Sequence, residues 1–316
     1  MNAAPPISVL LSVRNGLPYV TETISSICQQ SFGDFELVIV DNCSEDGTRD
    51  LLHAAKEKDS RLRVLLNEKD LGHSGGLNRG LSECRAGWVA RIDADDIALP
   101  ERLECQWQFH GEYPTAGAFS CLAHYIDPTG KRVGKTFHDL KSPADFARYV
   151  ERNEMIGILH PGAFLDRELV LKIGGYREPF KGCNDIDLWA RIAETGRCIL
   201  VQQKYLVEYR VHPAQGTAKF MENRLRYEWA RACASARRGG KSEPSWEEFL
   251  QEWNKTPWLH RVNRSRKARA KYFYRQGGLD YACGKPIKAA VELAGAILLQ
   301  PGYAMGRLLR QWPAKS

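Results

Sequence analysis

Four short apolar runs, Ile7–Val13, residues 35–40, Leu62–Leu66 and Trp88–Ile92, recur about every 25 to 30 residues, each closed by polar or glycine-bearing residues. Runs this short, β-branched at several positions and apolar on both faces, read as strands buried from both sides. The stretches after the first three, at 19–30, 48–58 and 72–84, carry helical patterns. Strand and helix in alternation predict an α/β fold: a mostly parallel sheet covered by helices. In such a sheet the polar residues that follow the strands collect along the carboxyl edge, where ligands bind. Here they are Arg14-Asn15, Asp41-Asn42, Asn67 and Asp93-Ala94-Asp95-Asp96.

Beyond residue 100 the pattern loosens. Strands are expected at 121–126 and 131–137 around the turn Asp127-Pro128-Thr129-Gly130, then a helix at 143–152, a strand at 160–165, a helix at 187–195 and a strand at 198–209. From Lys219 the chain turns helical, with segments at 220–237, 243–253, 264–274 and 285–299. The division falls at 1–218 for the α/β domain and 219–316 for a helical appendage. Charge divides in nearly the same place. Residues 1–220 carry 26 Lys and Arg against 30 Asp and Glu, and residues 221–316 carry 19 against 8, so the net +7 is a tail at +11 offset by −4. Nine cysteines stand singly with no CxxC pair, which reads as free thiols in a reducing, cytoplasmic setting. The apolar stretch near the N-terminus has no preceding Lys or Arg and does not read as a signal peptide. The most apolar late segment, 289–299, has 11 residues and contains Glu292, too short for the ~20 that a span needs.

Two acidic groups carry the chemistry. Asp93, Asp95 and Asp96 follow directly on an apolar strand, and like charges so close repel unless a hard divalent cation, Mg²⁺ or Mn²⁺, relieves them. A helix cap is the competing role. Asp185, in Asn184-Asp185-Ile186-Asp187, stands at a loop-to-helix junction, where a carboxylate either caps the helix or serves as a general base. The glycine-rich stretch from Asn67 to Asn78 leads into a helix whose N-terminus could face a phosphate, yet it matches neither the P-loop nor the dinucleotide fingerprint.

In order and spacing these pieces resemble glycosyltransferase family 2, which has the GT-A fold. The matching motifs are Ser12–Gly16, Val40–Thr48, Asn67–Gly80, Ile92–Asp96, Asn184–Arg191 and Tyr209–Pro213, so the likeness runs from Ile7 to about His212. It implies a nucleotide-sugar donor, most often a UDP-sugar, with Arg14, Asn15, Asp41, Asn67, Asn78, Asp93 and Asp95 on the donor side. Asp41 would meet the base, Asp93 the ribose or the outer shell of the metal, and Asp95, with His212, a Mn²⁺ or Mg²⁺ ion. Asp185 would be the base of an inverting, single-addition transfer to a saccharide or lipid-linked saccharide in cell-surface polysaccharide synthesis. Asn184 stands where the family usually has Glu. No QxxRW motif accompanies these pieces, which sets the chain apart from processive synthases.

Residues 255–275 mix Arg261, Arg264, Arg266, Lys267, Arg269, Lys271 and Arg275 with Trp258, Tyr272, Phe273 and Tyr274. That composition suits the anionic inner face of a plasma membrane, packing on the catalytic domain, or a dimer interface; nucleic acid is not expected as a partner. A sugar nucleotidyltransferase would also use carboxylates and metal on an α/β sheet, but it needs an early triphosphate loop that residues 11–18 do not supply. A non-catalytic nucleotide-sugar binder is the other alternative.

Overall fold

The four apolar runs form strands β1 (Ile7–Val13), β2 (Phe35–Asp41), β3 (Leu62–Leu66) and β4 (Trp88–Ile92), joined by helices α1 (Val20–Cys28), α2 (Thr48–Lys58) and α3 (Gly72–Glu83). The structure is a computed structural model that describes residues 4–211, 220–282 and 284–311. After β4 come β5 (Ile97–Ala98), α4 (Arg102–Glu112), β6 (Ala118–Ile126), β7 (Arg132–Lys135), α5 (Pro143–Glu151), β8 (Phe164–Asp166), α6 (Arg167–Lys172), α7 (Asn184–Glu194) and β9 (Ile199–Arg210). The order across the sheet is β3-β2-β1-β4-β8-β6-β9-β5, with β7 added to β6. Strands β3, β2, β1 and β4 are parallel, as expected, and the later half is mixed: β8 is antiparallel to β4 and β6, while β6 and β9 are parallel.

Burial on both faces makes the first half regular. Every residue of β2 and β4 is buried, and β1 has only Ser12 half-exposed. One core joins these strands to Leu77 and Leu81 of α3, Phe119 of β6, Phe164 of β8 and Trp189 of α7. The strand expected over 160–165 is instead a 3₁₀ turn, His160–Gly162, followed by short β8. Pro161 has no N–H for a ladder, and Gly162 packs so tightly that a Cβ there would come within 2.8 Å of Cys121 Sγ.

The helical region holds α8 (Phe220–Arg238), α9 (Trp246–Lys255), α10 (Trp258–Ala282), α11 (Pro286–Leu299) and α12 (Pro301–Gln311). Helices α8 and α9 pack on the α/β part, with Trp229, Cys233 and Phe249 sharing a core with Phe180 and Cys183 just before α7. Ion pairs reinforce that contact: Arg237 on α8 reaches Glu194 at 2.6 Å, and Arg177 pairs with both Asp187 and Glu243. Helices α10, α11 and α12 build a separate small core around Tyr274, Ala296 and Ala304. The helix expected over 264–274 runs instead for 25 residues, straight through Gly277-Gly278. A Cβ on Gly277 would lie 2.8 Å from Leu293 Cγ and 3.0 Å from the carbonyl oxygen of Ala289, so this glycine brings α11 close rather than ending α10. The eight described cysteines are all free.

Candidate active site

Asp41 ends β2 with its side chain fully buried. Its Oδ2 accepts from Arg49 Nε at 2.7 Å and from the Ser44 backbone N–H at 3.3 Å, while Oδ1 has no protein partner among the described residues. A buried carboxylate oxygen left open costs about 1–3 kcal/mol or more unless a ligand donates to it. Around it runs a chain of amides. Arg49 also donates to the Asn67 carbonyl oxygen at 2.7 Å, Arg79 donates to Asn67 Oδ1, and Asn67 Nδ2 donates to Asn42 Oδ1 at 2.7 Å. Asn42 donates in turn to Asp70 at 2.6 Å, and Arg14 closes the chain on the other oxygen of Asp70. Asn15 sits at φ 54 and accepts from the Glu45 N–H at 2.9 Å, which holds the 41–48 loop over the end of β1.

On the next strand, Asp93, Asp95 and Asp96 each bring a carboxylate oxygen within 4.8 Å of the others. Asp96 is fully buried; burial pushes its carboxyl well above the usual range, and the neighbouring Asp95 and Asp93 push it further. Its Oδ1 accepts from the Arg210 N–H at 2.8 Å, and Oδ2 has no partner among the described residues. Three converging carboxylates with an orphaned oxygen are a hard, all-oxygen donor set that fits Mg²⁺ or Mn²⁺.

Two buried arginines that sequence reading missed hold this loop. Arg91, inside β4, pairs with Asp93, and its Nη2 lies 3.5 Å from His73 Nε2. Arg210, at the end of β9, donates to the Asp95 carbonyl oxygen at 2.9 Å, to the carbonyls of Asp127 and Pro128 at 3.3 Å, and to Glu22 at 2.5 Å. A lone arginine inside an apolar strand was the available signal, because a charge is buried only when it is paired.

Asp185 lies in the first turn of α7, half-buried. Burial raises its carboxyl pKa, against the Ile186 N–H and the charge of Arg91, which lower it; the charge of Asp93 adds to the rise. The charges of Arg91 and Asp93 therefore act on both Asp96 and Asp185. Among the described residues no cation pairs with Asp185, whereas Asp187, two positions on, is fully buried between Arg177 and Arg191. Among the described residues, one aspartate of the pair is ion-paired and the other is not. Asn184 is buried and donates to Ser74 Oγ at 3.2 Å, which ties α7 to the start of α3. Asn78 does not reach the strand ends. Its amide exchanges two hydrogen bonds, 2.7 and 2.8 Å, with the backbone of Tyr176, whose hydroxyl is 2.7 Å from His160 Nε2. Gly175, at φ 63, makes room for that clamp, since a Cβ there would lie 2.4 Å from Asn78 Oδ1. His212 lies outside the described residues.

The profile described as "Glycosyl transferase family 2" matches residues 8–174, more than half of the chain. The chain belongs to glycosyl transferase family 2. As a family 2 glycosyltransferase it is similar to WbnJ of Escherichia coli, an O-antigen biosynthesis glycosyltransferase, at 30 % identity over 226 residues, 65 % of this chain and 80 % of WbnJ. An uncharacterized glycosyltransferase of Methanocaldococcus jannaschii, MJ1057, is 26 % identical over 209 residues, 66 % of this chain and 71 % of that protein. Among solved structures, the mannosyltransferase PcManGT from Pyrobaculum calidifontis, in complex with GDP-Man and Mn²⁺, superposes with a TM-score of 0.57 at 21 % identity, covering 98 % of this chain and 82 % of that one. S. aureus TarS 1–349 in complex with UDP gives 0.55 at 18 % identity, covering 95 % and 91 %. This chain spans 55 % of a longer TarS chain. These neighbours share the GT-A fold.

Proposed function

We propose that this family 2 enzyme transfers one sugar, with inversion, from a nucleotide-sugar, a UDP-sugar in the first instance, to a hydroxyl of a glycan or lipid-linked saccharide in cell-surface polysaccharide synthesis. The observation that carries the reading is the pairing of a three-carboxylate cluster on the sheet edge with Asp185, an uncompensated carboxylate of raised pKa that feels the same Arg91 and Asp93. The open Oδ1 of Asp41 supports a place for the base, as an acceptor for a ring N–H. Asn15, Asn67 and Arg14 hold the loops around that place, and Asn78 acts through Tyr176 on the acceptor side. Asp93, Asp95 and Asp96 would hold the divalent cation, with His212 as a further ligand. When bound, that cation supplies positive charge against the diphosphate leaving group. Asp185 takes the acceptor hydroxyl proton as the oxygen attacks the anomeric carbon, and its raised pKa brings it nearer to the proton it must hold. Asn184 in place of an acid leaves Asp185 without a negative neighbour directly before it.

We place the catalytic domain at 1–218 and the helical appendage at 219–316, with the appendage meeting the anionic inner face of the membrane through 255–275. The exposed side chains of Arg266, Lys267, Arg269 and Lys271 on α10 support that contact. Among the described residues no helix is long and apolar enough to cross a membrane. Incubation with a panel of nucleotide-sugars, with and without Mn²⁺, tests the reading by release of free nucleoside diphosphate. Slow metal-dependent hydrolysis of one donor is expected, and no release from any donor under either condition would overturn it.

A further inference from the structure

Between α8, α9 and the loop that follows α5 lies a cavity of about 290 Å³, apart from the carboxylates of the sheet edge. Asn153, Met155, Glu228, Arg231, Phe249 and Trp253 are among its lining residues. Its floor is aromatic: the rings of Phe249 and Trp253 lie 5.8 Å apart, tilted by 36°. Its rim is charged, with Arg231 and Glu228 paired at 3.1 Å and Arg238 held 3.6 Å from Glu194 behind the lining. Arg238, also in the lining, donates to Asn153 Oδ1 and thereby ties the loop to α8.

We infer that this cavity is a saccharide subsite that holds a sugar residue of the acceptor chain further back than the residue being glycosylated. A pyranose ring presents a face of C–H bonds and a rim of hydroxyls that both donate and accept. An aromatic floor covers the first, and a carboxylate, a guanidinium and an amide together satisfy the second. A wholly apolar ligand would strip water from the Glu228–Arg231 pair and give nothing back. A phosphate would have to compete for Arg231 and Arg238 with the carboxylates they already hold, Glu228 and Glu194. The volume is at the small end of ligand-binding pockets, room for one ring.

The inference rests on the transferase reading for its place along the acceptor. Cys183 and Ile186, which flank Asn184 and Asp185, pack into the same cluster as Phe249 and Trp253. The loop from Asn153 to Gly157 leads the same way, since a Cβ on Gly157 would lie 3.3 Å from Ile186 Cδ1. A saccharide with its reacting hydroxyl at Asp185 can follow this loop into the cavity.

Saturation-transfer NMR of the full chain with a panel of unlabelled di- and tetrasaccharides of glucose, galactose and N-acetylglucosamine tests the subsite without any donor. The wild type is expected to bind at least one tetrasaccharide, and Trp253→Ala to weaken that binding at least ~5-fold, the size of loss usual when an aromatic anchor is truncated. Because Trp253→Ala also thins the packing of α9, Ser235→Phe serves as the second variant. Ser235 is exposed on α8 and lines the cavity, so the substitution fills it without touching the core. Release of nucleoside diphosphate from the donor should be unchanged in both variants. Saccharide binding that is the same in the wild type and in both variants, or absent from all three, overturns the subsite. Saccharide binding lost in both variants, with no donor hydrolysed even by the wild type, leaves the subsite standing and removes the transferase reading instead.

Discussion

Along the carboxyl edge of the sheet, arginines are committed inside the fold: Arg49 to Asp41, Arg79 to Asn67, Arg91 to Asp93 and Arg210 to the carbonyls around Asp95 and Asp127. In the far helices the balance is different. Residues 258–311 hold eleven Lys and Arg against two Asp and Glu, a net of +9. Residues 221–257 hold seven against six, so α8 and α9 are almost neutral and the tail's basicity belongs to α10–α12. Charge in the first region fixes the position of other groups at short range, with one partner of each contact buried. In the second, the exposed Arg266, Lys267, Arg269 and Lys271 act at a distance and are screened by salt. The same residue types therefore do separate work, and substitutions in the two regions should fail differently.

Asp185 gives the largest expected effect. Asp185→Asn should lower transfer by ~10²–10⁴-fold, the usual worth of a general base, while donor affinity measured by titration stays at the wild-type value. A mutant that transfers at the wild-type rate breaks the assignment. Asp95→Ala comes next: the gain in donor affinity on adding Mn²⁺ should disappear, as read from donor titrations with and without the ion. Two residues along, Asp187 should behave in the opposite way to Asp185. Removing it leaves the buried Arg191 without its carboxylate, so Asp187→Ala should cost about 3–5 kcal/mol in urea unfolding. Asp185→Asn, which removes a half-buried carboxylate with no cationic partner among the described residues, should cost little or be stabilising. Equal losses of stability from the two substitutions would erase the distinction between them.

The pH dependence sharpens the same point. Burial penalises the ionised form of Asp185, so its folded pKa lies above the ~3.9 of a free Asp side chain. The base works only when ionised, so activity should fall as pH drops through that raised value, and the acid limb should begin at higher pH than an ordinary aspartate gives. A profile of kcat against pH at saturating donor checks this, and an acid limb at or below the ordinary value counts against Asp185 as the base.

How much of this was legible in the residues follows from the range of the forces involved. Strands β1, β2 and β4 could be read because burial on both faces makes an apolar run with no other simple explanation, and β3, only partly buried at the sheet edge, followed from the same spacing. The carboxylates at their ends followed from the parallel topology. Asn78 could not be placed in that way, because its partner, the backbone of Tyr176, is 98 positions away and nothing local marks it. Arg91 stood in plain view inside an apolar strand and Arg210 at the end of a mixed one, but what they bind depends on tertiary closure. In the tail, glycine misled. Gly277-Gly278 resembles a helix end in sequence, and only the close approach of α11 shows Gly277 to be a packing residue.

The smallest expected effect belongs to α10 and α11. On α11, Ile287, Val291 and Leu298 are 83 %, 68 % and 82 % exposed, and at 3.6 residues per turn their spacing sets them on one face. On α10, which packs against α11, the exposed Arg266, Lys267, Arg269 and Lys271 repel a second copy of themselves and attract an anionic surface. Each basic residue near such a surface contributes about 1 kcal/mol, so Lys267→Glu with Lys271→Glu should abolish most flotation with phosphatidylserine-containing vesicles at low salt. Ile287→Ser with Leu298→Ser should weaken the flotation that survives at moderate salt, because the apolar contribution is not screened. Donor hydrolysis should be unchanged in both pairs, since neither touches the sheet edge. If the wild type fails to float with anionic vesicles at either salt, the exposed charge of α10 has no lipid partner and the contrast between the two regions is one of packing alone.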